Sequence, residues 1–208
     1  MLVLAVTACI LTHPALAEGE HSRRAATELL VLRGDVRKLT QNNLSDLHII
    51  GLKDRIGGGL AGLEIMLRLA DQQAGIKPVD YSTVLDNLRT SWRASDFTAL
   101  ADRLSDLQST HPFRATGILP IQATTSALTA AKELHEDLCA GCHDDPDLDV
   151  PRPAYNLFED AQQLSGREFA ARMSVGVRGD RITGIDNPLT DAQISALMFY
   201  YKSTDYIE

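Results

Sequence analysis

Five consecutive residues, Cys139-Ala140-Gly141-Cys142-His143, combine side chains suited to holding a redox cofactor. Two thiols with two residues between them lie on one turn of chain, at the separation of the two vinyl groups of a haem, to which they can add as thioethers. The next residue, His143, then falls under the ring, where its imidazole can bind iron as the proximal ligand. The small residues Ala140 and Gly141 let the backbone pass close to the porphyrin. The C-x-x-C-H spacing is therefore read as a covalent haem-attachment site, for one haem. Two other chemistries use paired cysteines. A zinc ribbon needs a second Cys or His pair, and the only other cysteine is Cys9. A thioredoxin-like dithiol needs a strand–helix–strand setting, and the sequence has none.

The elements that must position this turn read as helical. The chain has 208 residues, room for one large domain or two small ones, with 44% hydrophobic and 23% charged residues, ordinary for a globular protein. Aromatics are scarce at 5%, and long Leu/Ala runs with little β-branched alternation predict an all-α protein. The net charge of −8 argues against nucleic acid as a partner. Two haem propionates would make the loaded protein more acidic still, so redox protein partners with basic docking faces are expected.

At the start of the chain, Leu2 to Leu11 form an apolar run, followed by Ala15-Leu16-Ala17 before Glu18. An h-region and an A-x-A cleavage site predict a signal peptide over residues 1–17, too short to span a bilayer. No Lys or Arg precedes the run. Haem attachment of this kind takes place outside the bacterial cytoplasm, so leader and C-A-G-C-H agree, and the periplasm is the expected location. Val6-Thr7-Ala8-Cys9 also resembles a lipoprotein box; acylated at Cys9, the protein would be lipid-anchored to the membrane instead.

Four amphipathic stripes follow. Leu29, Leu32, Val36 and Leu39 mark a first helix. Ile49, Leu52, Ile56, Leu60, Leu63 and Leu67 mark a longer second one, capped by Asn43 or Ser45 and interrupted by Gly57-Gly58-Gly59 and Gly62. Since each glycine weakens a helix by roughly 1 kcal/mol relative to alanine, close approach of a neighbouring helix is their expected reason. Tyr81, Leu85, Leu88 and Trp92 form a third stripe after Asp80, and Phe97, Leu100, Leu104 and Leu107 a fourth after Asp96. These predict an N-terminal helical bundle domain over residues 22–110. His48 on the second helix and His111 before Pro112 are weaker candidates for iron ligation. Residues 111–124 carry Pro112, Gly117 and Pro120 without any period and read as a linker packed along a surface. A haem domain is expected over residues 125–208.

That last segment resembles the class I c-type cytochromes. The resemblance is carried by a helix from Ala127 to Leu138 with His135 at an aromatic packing position, and by C-A-G-C-H itself. A proline loop, Pro151-Arg152-Pro153-Ala154-Tyr155-Asn156-Leu157, a helix from Gly166, and a capped last helix, Leu189-Thr190-Asp191-Ala192-Gln193, complete it. The resemblance implies a small helical wrap around the haem, one-electron transfer as the task, and a loop carbonyl, assigned to Pro153, that orients His143. His135 is expected to pack against Tyr200. Asp144-Asp145-Pro146-Asp147-Leu148-Asp149 reads as a solvated acidic loop suited to docking. The first domain resembles no family that its residues allow to be named.

One position departs from the family. Its second iron ligand, a methionine, falls on Ile182 when the chain is aligned on Leu189, and isoleucine cannot ligate. The distal site is therefore expected to be open; the alternatives are Met173, with packing as its default role, a group from the first domain such as His48, or a loop that aligns differently, and Met198 reads as core. Arg178 and Arg181 flank the same loop, where they could hold a propionate or an anion. The sequence thus predicts a periplasmic monohaem cytochrome carrying single electrons, an electron carrier more than an enzyme. The alternatives are a haem protein whose open distal site binds or transforms a small ligand, and a haem subunit docked to a larger redox enzyme.

Overall fold

The computed structural model describes residues 19–41, 44–77, 79–150, 152–178, 184–185 and 187–203. The leader over residues 1–17, with Cys9, lies outside them, as do Asn43, Arg181 and Ile182. Among the described residues the protein is all-α, with nine helices and one antiparallel pairing of two-residue segments.

Helix α1 (Glu20–Leu39) has apolar residues on two faces. Glu20 in its first turn and Arg37 and Lys38 in its last complement the helix dipole. Helix α2 (Asp46–Gln73) is capped by Ser45, whose hydroxyl accepts the His48 N–H. It runs unbroken through its glycines, and close approach explains one of them. A Cβ on Gly59 would lie 2.6 Å from Glu28 Oε1 and 2.7 Å from Leu32 Cδ2, both on α1, whereas one on Gly58 would meet nothing within 4 Å. Helix α3 (Ser82–Arg93) begins where the Asp80 carboxylate accepts the Ser82 N–H, and α4 (Phe97–Thr110) where Asp96 accepts the Ala99 N–H. One face of α1, with Leu29, Leu32 and Val36, closes a core with Ile56, Leu63 and Leu67 of α2, Leu85 and Leu88 of α3, and Leu100 and Leu104 of α4.

A second core gathers the rest. Helices α5 (Thr125–Leu138), α6 (Ala140–His143), α7 (Leu157–Gln163) and α8 (Gly166–Val175) are followed by β1 (Val177–Arg178), β2 (Gly184–Ile185) and α9 (Asp191–Lys202). Thr190 and Gln193 form a capping box at the start of α9, as the T-D-A-Q run predicts. Ala131, Phe169, Leu197, Met198 and Tyr201 are buried here, together with Ala26 and Val31 from the other face of α1. The segment between α4 and α5 is non-helical, but it does not lie on a surface alone. Phe113 and Ile118 are each only 1% exposed within the second core, and the Arg167 guanidinium donates to the Phe113 carbonyl. Burying each such large side chain contributes roughly 1.5–3 kcal/mol.

Between the two cores runs a buried layer of charge. Arg172 on α8 binds Asp35 on α1 at 2.8 Å and Glu168 at 2.9 Å. Arg55 on α2 binds Glu28 at 2.6 Å, and Arg37 binds Glu168 at 2.8 Å. Lys38 at the end of α1 reaches Asp160 on α7 at 2.8 Å. Burial opposes the charge on Arg172, but Asp35 and Glu168 outweigh it and hold the guanidinium firmly protonated.

Candidate functional site

The C-A-G-C-H turn hangs from the end of α5. The Cys139 N–H donates to the His135 carbonyl at 2.8 Å, and the N–H groups of Cys142 and His143 both donate to the Cys139 carbonyl at 3.1 Å. Those bonds wind one tight turn, so both sulfurs and the imidazole come from a single four-residue helix and its cap. Cys139 is half-buried and Cys142 exposed.

Packing against α9 fixes the turn in space. Ala131 on α5 is wholly buried, which lets α9 approach. One turn on, His135 is 2% exposed, its ring centroid 5.6 Å from Tyr200 and 5.4 Å from Tyr201. The packing role expected for it therefore holds, and both its ring nitrogens are engaged. Nδ1 lies 3.0 Å from Tyr201 Oη, and Nε2 3.0 Å from a carboxylate oxygen of Asp144. Burial pushes the Cys139 thiol up, with a hydrogen bond from Tyr201 offsetting part of the shift.

His143 carries the most informative contact. Its Nδ1 lies 2.6 Å from the backbone carbonyl of Tyr155. A carbonyl can only accept, so Nδ1 bears the proton and the lone pair of the neutral ring is on Nε2. The proline loop does supply this carbonyl, but from Tyr155 and not from the expected Pro153, two residues earlier. The reason is where α7 starts. Asn156 caps it, its side chain accepting the N–H groups of Phe158 and Glu159 and its carbonyl the Asp160 N–H, so the last carbonyl left free before the helix is that of Tyr155. Pro153 is buried within the same loop.

The remaining candidates disperse. His111 is spent on Asp71 at 3.3 Å and on Thr110 at 3.0 Å, inside the α1–α4 assembly. Met198 is fully buried core, and Met173 is half-buried against the second core. Of Arg178 only the backbone is described, paired with Gly184. His48 sits in the first turn of α2 with Nδ1 2.8 Å from Ser45 Oγ, its ring 4.8 Å from that of Tyr155. Tyr155, Tyr201 and Lys38 were not legible as site residues; an aromatic directly before the N-cap Asn156 was the one available signal.

Among the described residues no three His, Cys, Asp or Glu side chains gather as ligands for a metal ion. No described helix is long and apolar enough to cross a membrane. Comparison with protein-family models, with curated proteins and with solved structures returned no match.

Proposed function

We propose that the protein is a monohaem c-type cytochrome that carries single electrons between protein partners in the periplasm. In this reading α1–α4 form a four-helix bundle-like module, and the segment from residue 125 a class I cytochrome c-like haem module. The observation that carries the proposal is the His143 ring, its Nδ1 tied to the Tyr155 carbonyl at 2.6 Å on the same turn as two cysteines. Two thiols and an imidazole presenting Nε2 are the donor set that haem c takes.

Cys139 and Cys142 would hold the haem covalently, and His143 would bind iron through Nε2. The Tyr155 carbonyl fixes the tautomer and ring plane of His143 and raises its basicity. When bound, the haem supplies one-electron chemistry. The protein sets where it lies and how its iron is liganded. Asp144, Asp145, Asp147 and Asp149 are all exposed directly after the turn, which suits partners with basic faces.

Mass and extraction test the proposal. Matured in a host able to attach haem, the chain should weigh one haem more than its processed polypeptide, and acid–acetone should not remove the colour. Replacing Cys139 and Cys142 together with alanine should abolish the attachment. Haem that extracts freely, or a colourless protein from full maturation conditions, sinks the reading.

A further inference from the structure

The carbonyl that meets His143 belongs to a residue whose ring is gripped from outside the haem module. Lys38 Nζ, at the end of α1, lies 3.7 Å from the centroid of the Tyr155 ring. The same ammonium is paired at 2.8 Å with Asp160 on α7, the helix that starts directly after the loop. The His48 ring lies 4.8 Å from the Tyr155 ring, tilted by 34°, and is itself anchored to the α2 cap through Ser45 Oγ at 2.8 Å.

The loop backbone lies against α2 as well. A Cβ on Gly51 would fall 2.7 Å from Arg152 Cγ and 3.1 Å from Arg152 Cα, so only glycine admits the loop this close. One turn further, Asp54 approaches the Arg152 guanidinium at 3.6 Å. His48, Gly51 and Asp54 follow one another at three-residue spacing, the spacing of a single helix face.

We propose that this face of α2, with Lys38 of α1, is a clamp that positions His143 through Tyr155. Lys38 and His48 are positioning residues for the site, and the inference rests on the haem reading above. A ligating histidine that donates its other N–H to a fixed carbonyl is a more basic ligand and favours ferric iron. The N-terminal helices would therefore tune the potential of the haem through Tyr155 and His143. The faces of the rings do this, not their polar tips. Tyr155 Oη and His48 Nε2 are both buried, and both lack a hydrogen-bond partner among the described residues.

The test uses the full-length, haem-loaded protein and three variants: His48→Phe, His48→Ala, and Lys38→Met combined with Asp160→Asn so that no carboxylate is left alone. Two quantities are read. They are the midpoint potential and the exchange rate of the His143 Nδ1 proton in the reduced, carbon monoxide-saturated state, which is diamagnetic. His48→Phe keeps an aromatic face and should stay at the wild-type values. His48→Ala and the double variant should raise the potential and speed the exchange about tenfold, the order expected for weakening one hydrogen bond. Unchanged values in both of those variants, or a His48→Phe shift as large as that of His48→Ala, would overturn the clamp. If the wild type carries no haem, the functional reading falls instead. The clamp is then judged on the haem-free variants by the fraction of His143 in the Nδ1–H tautomer, which should drop in the same two.

Discussion

Asp35 on α1 and Arg172 on α8 meet at 2.8 Å across 137 residues of sequence, with the Asp35 side chain only 2% exposed. Breaking a buried pair by removing one partner typically costs about 3–5 kcal/mol, because the other charge stays behind without compensation. Arg172→Met should therefore lower unfolding stability by about that much, leaving both Asp35 and Glu168 short of a partner. Urea unfolding of the two proteins measures it. A loss near that of an exposed pair, below about 1 kcal/mol, would mean that water reaches the cluster.

A chain shortened to begin at Thr124 should fail to mature. It would lack Ala26, Val31, Phe113 and Ile118 from its core, and Asp160 and Arg172 would lose Lys38 and Asp35. Each large apolar side chain missing from that core removes roughly 1.5–3 kcal/mol, and together these losses are comparable with the whole stability of a typical domain. Far-UV circular dichroism and the haem-to-protein ratio of the fragment are the measurements. A folded, haem-bearing fragment would contradict it.

The glycines of α2 separate by what lies opposite them. Gly58→Ala meets open space and should stabilise the helix by up to about 1 kcal/mol. Gly59→Ala drives a methyl group into Glu28 and Leu32 of α1 and should destabilise by about 1–3 kcal/mol. Thermal melts of the pair should move in opposite directions.

Acidification should expose His48. Burial, and then the charge of Lys38, lower its pKa below the ordinary value of 6.5. The unfolded chain therefore takes up a proton at a higher pH than the folded one does. Stability falls as pH drops below about 6.5 and levels off once the folded pKa is passed. Denaturation midpoints at about pH 7.5 and about pH 5.5 should differ less in His48→Gln than in the wild type. An identical difference would show that His48 does not contribute.

On the proposed haem reading, the sixth position of the iron is expected to be open, since Ile182 stands where the resemblance places methionine. Ferric protein should be high-spin or mixed-spin, and the reduced form should bind carbon monoxide readily. Ile182→Met should give a low-spin haem of higher potential, as a thioether favours ferrous iron. A low-spin wild type that turns high-spin on Met173→Ala would make Met173 the ligand instead.

Local chemistry was readable from the chain by itself. The single turn of Cys139, Cys142 and His143 is a matter of spacing. The caps at Ser45, Asp96 and Thr190 are each satisfied within three residues of sequence, and the apolar stripes of α1 to α4 repeat every three or four. Such features need no distant partner to form. Three others were decided only by tertiary structure. Tyr155, not Pro153, faces His143, because where the loop and α7 come to rest against the C-A-G-C-H turn decides which free carbonyl meets the imidazole. Glu28, Asp35, Lys38, Arg55, Asp160, Glu168 and Arg172 carry no local mark of burial, yet they close a buried layer in which Lys38 meets a partner 122 residues away. Helix α1 serves two cores because its two apolar faces are covered by different parts of the chain. Hydrogen bonds and ion pairs of that reach depend on where whole helices come to rest, which no local period records.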